Sequence, residues 1–233
     1  MSQNYLNTYD KTEKIQGSAL LTLLRNVYWW MTLALTTSGL AALFVAGNPG
    51  WVQLVYQFYL IFALAELGIV WYFSSRIMKI SFATAGILFA VFSLLNGITL
   101  SFIFYAYELG SIVSTFFITA GTFGAMGLTG YFIKKDLSTL GRFFVMCLLG
   151  LIIASVVNWF MHSEGLYWLL TYAGVLIFCG LTAYDTQKIK QMLMEQSEVN
   201  ESTMKLALLG SLTLYLDFIN LFLYLLRIFA NRR

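Results

Sequence analysis

Seven stretches of about twenty mainly apolar residues recur along the 233-residue chain: Val27–Ala46, Gln53–Phe73, Phe82–Ala106, Ser111–Ile133, Phe143–Met161, Leu166–Tyr184 and Leu206–Phe229. A helix rises ~1.5 Å per residue, so a run of ~20 crosses the ~30 Å of hydrocarbon in a bilayer. The pattern predicts seven transmembrane helices. Most connections are short; the N-terminal tail and the stretch Thr186–Lys205 are the exceptions. The expected architecture is an all-α polytopic bundle, with a tail over residues 1–26 and one transmembrane domain over 27–233. Residues 1–17 are polar, so no cleavable signal is expected.

Basic residues give the orientation. Lys11, Lys14 and Arg25 lie in the tail, Arg76 and Lys79 in the second connection, Lys134, Lys135 and Arg142 in the fourth, and Lys188, Lys190 and Lys205 in the sixth. The first, third and fifth connections hold none, which predicts a cytoplasmic N-terminus. Seven crossings then put the C-terminus outside although Arg227, Arg232 and Arg233 lie there; the last segment either crosses despite them or re-enters. Its length favours crossing. Trp29, Trp30, Trp71 and Tyr72 fall at predicted inner ends and Trp51, Trp159, Tyr167 and Trp168 at outer ends, as interfacial anchors do.

Composition agrees. The chain is 59% hydrophobic and 11% charged, with one proline and a mean hydropathy of +0.75. Soluble domains carry ~25% charged residues, so the bilayer is the expected solvent, and no nucleic-acid partner is expected. Cys147 and Cys179 form no metal or redox spacing and read as small core residues. Most of the 18 glycines sit inside apolar runs, where they let helices approach closely. The fourth span carries Gly121, Gly124, Gly127 and Gly130, either for tight packing or for a distorted, movable helix. It ends GLTGY (Gly127–Tyr131), echoing GLTAY (Gly180–Tyr184) at the end of the sixth.

Ionisable groups inside spans carry the candidate chemistry, because each costs ~2.5–3.5 kcal/mol to insert. Three carboxylates qualify. Glu66 lies about seven residues from the inner end of the second span, Asp185 at the inner end of the sixth, and Asp217 about eleven residues into the seventh, all on the cytoplasmic side by the predicted boundaries. Two aspartates meeting there share a proton and titrate as a unit. When ionised they offer hard oxygens to calcium, which takes ~6–8 oxygen ligands. Arg76, just past the second span, is placed to pair with one of them. The alternative is a static ion pair that only orients helices. His162, Glu108 and Glu164 read as solvated connection residues, and Glu195–Glu201 as a solvated loop. Asn96, Asn158 and Asn220 read as hydrogen-bonding bridges between helices.

An enzyme is not expected. There is one histidine, no lysine in a span interior and no serine–histidine arrangement. Two aspartates alone also suit an intramembrane aspartyl protease, but its usual motifs are absent.

The segments GLTAYDTQKIK (Gly180–Lys190) and LTLYLDFINLFLYLLRIF (Leu212–Phe229) resemble the signatures of the Bax inhibitor-1, or transmembrane Bax inhibitor motif, family. FGAMGLTGY, the closing LRIFANRR and the polar tail are similar to its bacterial inner-membrane branch. The resemblance implies seven helices with the last at the centre of a ring of six. It also implies a passive, pH-sensitive calcium leak across the bacterial inner membrane, with no resident cofactor and with Ca2+ bound only transiently. By motif, Asp185 and Asp217 carry over as the proton sensor and calcium ligands, Arg76 as a latch on Asp185, and Glu66 as a lining of the ion path. The 31 residues from Thr186 to Leu216 between the two aspartates are a long separation for such a pair. Other members of the family restrain membrane proteases or other integral proteins. A non-transporting regulator is therefore the alternative function, with the tail and its apolar Ala19–Leu24 as the partner-binding feature.

Overall fold

The protein is seen in a computed structural model that describes the backbone of residues 2–231 and side chains from Gly17 to Asn231. Lys11 and Lys14 of the tail and the terminal Arg232 and Arg233 lie outside the described side chains. Among the described residues there is no strand. The helices are α1 (Ser2–Ala46), α2 (Pro49–Gln57), α3 (Tyr59–Arg76), α4 (Phe82–Leu100), α5 (Ile103–Ala106), α6 (Leu109–Phe132), α7 (Ser138–Met161), α8 (Glu164–Met194) and α9 (Glu201–Phe229). A 3-10 turn, Ile77–Lys79, follows α3. Seven segments are long and apolar enough to cross a membrane. The protein is thus an all-α, multi-pass membrane protein.

The ends of the spans differ from the sequence expectation for physical reasons. The first span extends to the N-terminal side of Val27, because Ala19, Leu23 and Leu24 continue its buried face along α1. The second runs Tyr59–Lys79 rather than Gln53–Phe73. Asn48 caps α2, with its side-chain oxygen accepting from Gly50 N–H at 3.1 Å and Pro49 in the first turn, and that short helix ends at Phe58. Proline suits this position because its missing N–H is one that a helix start leaves unpaired anyway. The expected Thr186–Lys205 connection is mostly helix: α8 continues to Met194 and α9 starts at Glu201. Ile189 and Leu193 are buried on that extension. The last segment is a single 29-residue helix, ~43 Å long at ~1.5 Å per residue, so it does not turn back. It is also the most buried of the seven spans, with 61% of its most apolar window covered against 11–39% in the others.

Contacts divide the chain into two compact units, Met1–Phe102 with Ile189–Leu212, and Ile103–Lys188 with Thr213–Arg233. In the first, α4 packs on both α1 and α3. Ser38 of α1 donates to Ser93 O of α4 at 2.6 Å. One turn on, Gly97 lies directly against the Ser38 backbone, with no room for a side chain. Trp30 is half-buried against Gly86 and Phe82, whereas Trp29, Trp51, Trp71 and Trp159 are exposed.

In the second unit the two echoing segments meet. Gly130 of GLTGY sits on the backbone of Ala183 in GLTAY, and Gly127 faces Thr186. Gly121 and Gly124 face open space, and α6 is unbroken from Leu109 to Phe132. Two of the four glycines therefore pack and none distorts the helix. Cys147 and Cys179 are free thiols.

A methyl group at residue 130 must push α6 off α8, because the atom it meets is backbone and cannot rotate away. Gly130→Ala is expected to cost about 1–3 kcal/mol. Gly150→Ala, facing open space, is expected to stay within about 0.5 kcal/mol of the parent. Thermal unfolding of the two detergent-solubilised variants checks the difference.

Candidate functional site: a buried pair of aspartates

The long α8 and α9 set the depth of the two acids. Asp185 lies 21 residues into α8 and nine before its end, and Asp217 lies 16 residues into α9. Both are therefore mid-helix. The two carboxyls lie close enough to act on each other. Two acids brought together favour holding a proton between them. Asp217 is only 5% exposed. Its Oδ2 is buried without a donor, as is the hydroxyl of the neighbouring helix's Thr186.

The aromatic rings of Phe116, Phe123 and Phe218 sit beside the pair's helix: Phe218 follows Asp217, with ring centroids 5.4 Å from Phe123 and 5.5 Å from Phe116. A cation also belongs to this setting. Lys188, one turn past Asp185 on α8, acts on it electrostatically while its ammonium lies 5.8 Å from the centroid of the Tyr184 ring. The sequence reading missed Lys188, although an i,i+3 spacing on a helix that continues past Asp185 was the available signal.

Glu66 and Arg76 belong to the other unit. Glu66 lies ten residues before the Arg76 end of α3, ~15 Å along the helix. Asn96 Nδ2 donates to it at 3.1 Å and Thr99 Oγ1 at 2.8 Å, both from α4. Asn96 is thus an interhelical bridge. Asn158 and Asn220 are not. Asn158 accepts from Ser163 N–H just past its own helix at 3.1 Å, and Asn220 donates to Leu216 O on its own helix at 2.7 Å. Arg76 is exposed at the C-terminus of α3. His162 is exposed in a left-handed conformation (φ 51°) that closes α7. Among the described residues no cluster of three or more His, Cys, Asp or Glu occurs, so the site has two carboxylates and no third ligand of that kind.

A second residue missed in the sequence is Gln187, two positions after Asp185. Its Oε1 accepts from Leu137 N–H at 2.8 Å, and its Nε2 donates to Lys135 O at 2.9 Å and Ile133 O at 3.3 Å. One side chain thereby satisfies three backbone groups of the α6–α7 turn, where no helix ladder can.

A seven-span, all-α membrane protein with two aspartates brought together on its last two helices is the class that fold and site define. The sequence profile described as "Inhibitor of apoptosis-promoting Bax1" matches residues 20–233, and the chain belongs to that family, Bax inhibitor-1. It is 46% identical over 221 residues to the inner membrane protein YbhL of Escherichia coli (strain K12), covering 93% of this chain and 94% of that protein. It is 42% identical over 236 residues to a protein of Rickettsia prowazekii (strain Madrid E), covering 99% of each. Over 213 residues it is 43% identical to a protein of Borreliella burgdorferi, covering 90% of this chain and 92% of the relative.

Two predictions concern the α6–α7 turn. Gln187→Leu leaves three backbone groups without their partner and is expected to destabilise by about 2–4 kcal/mol, with faster hydrogen exchange over residues 133–137. Asp136, outside the spans, accepts from the Ser138 hydroxyl at 2.7 Å and its N–H at 2.9 Å, which holds its carboxyl below the ordinary value. Its contribution is present above the unfolded pKa of about 3.9 and is lost as pH falls through the lower folded value. Asp136→Ala should therefore loosen the start of α7 at neutral pH and match the parent in strong acid, as read by amide exchange at Ser138.

Proposed function

We propose that the protein is a passive, pH-sensitive cation leak of the inner membrane that prefers calcium, with its N-terminus in the cytoplasm. The observation that carries this reading is the meeting of Asp185 and Asp217 on neighbouring helices, with Asp217 only 5% exposed. Two buried acids that share a proton exchange it for a metal ion when the pair opens. Ionised, it presents hard oxygens of the kind calcium takes, and water and backbone carbonyls supply the rest. The ion is cargo, and a two-carboxylate site suits it, because a conducting site must also let go. No energy source is needed: each charge gains ~2.3 kcal/mol down ~100 mV.

In this reading Asp185 and Asp217 are sensor and gate, and Arg76 is the latch that pairs with Asp185. Glu66, held by Asn96 and Thr99, lines the path. The printed location of the Escherichia coli relative supports the inner membrane, and the one-sided lysines and arginines support the orientation.

The test is calcium flux into liposomes carrying the purified protein, across about pH 5 to 8. Asp217→Asn keeps shape and hydrogen bonding but cannot ionise, and is expected to flatten the pH dependence and reduce flux. Flux and pH response identical to the parent overturn the reading. A parent that carries no flux but retains a membrane protease, and loses it when residues 1–17 are deleted, establishes the non-transporting alternative instead.

A further inference from the structure

α9 opens with an acid and a base four residues apart, Glu201 and Lys205. The sequence reading placed Glu201 in a solvated loop and Lys205 among the basic residues of the sixth connection. Glu201 is exposed, but Lys205 is buried, with 7% of its surface accessible. Its Nζ lies 3.6 Å from Glu201 Oε1 and donates to Ile80 O at 3.0 Å. The same Glu201 oxygen accepts from Phe82 N–H at 3.0 Å. An ammonium is costly to bury unless paired and hydrogen-bonded, and a solvated helical pair of this spacing needs no burial at all.

The two backbone groups explain the arrangement. Ile80 is extended (φ −102°, ψ 160°), between the 3-10 turn and α4. Phe82 is the first residue of α4, whose N–H has no partner within its own helix. Ser81 between them caps α4 by accepting from Thr84 N–H at 3.2 Å. One i,i+4 pair on α9 thus grips the turn on both sides of Ser81, by its carbonyl and by its amide.

Arg76 stands four residues before Ile80, and only the turn Ile77–Lys79 separates it from the grip, with Ile77 buried. The grip comes from α9, the helix that carries Asp217 twelve residues, or about three turns, further on.

We propose that Glu201 and Lys205 are positioning residues that clamp the α3–α4 turn to α9, so that Arg76 and the helix bearing Asp217 move together when the leak opens. This rests on the reading above. The charged groups at the aspartate pair are Asp185, Asp217 and Lys188, and those at the clamp are Glu201 and Lys205.

Lys205→Met tests the clamp, because methionine keeps an unbranched apolar stem in the buried site and removes the donor. Glu201→Ala, an exposed change, removes the acceptor and guards against misfolding of the first variant. Both are expected to speed hydrogen exchange at Phe82 and its neighbours about tenfold, and to move the midpoint of the calcium flux–pH profile by at least about half a pH unit. Lys205→Arg, which retains a donor, should restore both. Unchanged exchange in both variants overturns the clamp. Faster exchange with an unchanged pH profile overturns its part in gating and leaves a plain structural staple. If the parent itself shows no flux, the leak reading and the gating role fail together, while exchange at Phe82 still decides whether the turn is clamped.

Discussion

Hydrocarbon offers no hydrogen-bond partner to a peptide group, so the chain can cross it only as helix, and every place where a helix stops must be supplied with partners from elsewhere. That constraint organises this protein. Its spans are long and mostly uninterrupted. Where they end near the basic residues, the orphan backbone groups are met by polar side chains from the two last helices. Gln187 of α8 serves the turn between α6 and α7, and Glu201 and Lys205 of α9 serve the turn after α3. The same two helices carry the paired aspartates, so the elements that hold the connections are also the elements that hold the site.

Glycine does the complementary work inside the spans. Between lipid-solvated helices there is little hydrophobic drive, and contact depends on close van der Waals approach. Gly97 against Ser38 and Gly130 against Ala183 bring backbones together without an intervening side chain. The second of these contacts joins the two short segments that read alike in sequence. Their likeness is a packing surface shared by α6 and α8, each supplying small residues where the other comes close.

The existence of the seven spans was legible because twenty apolar residues in a row leave few alternatives. Their ends were not. Hydropathy reports contact with lipid, and α8 passes out of lipid while remaining helical: Gln187, Lys188 and Lys190 look like loop, yet Ile189 and Leu193 between and after them are buried. The break at Phe58 was invisible because apolar residues continue on both sides and no proline or glycine marks it. The aspartates stood out as charges in the wrong solvent. The partners of Glu66 did not, since nothing in two separate spans fixes the register that brings Asn96 and Thr99 to it. The role of Lys205 was hidden for a related reason, because a lysine before a span start counts only as a positive charge until the turn that needs its proton is in place.

Neither α8 nor α9 has a break, a proline or a turn at its aspartate. A helix interrupted at a charged residue absorbs a change in protonation by unwinding locally, and the disturbance dies within a few residues. Here there is no such joint. Repulsion between two charged acids in such a place acts on two stiff rods, and stiffness makes leverage: a small separation at the acids would become a larger displacement at each rod's end.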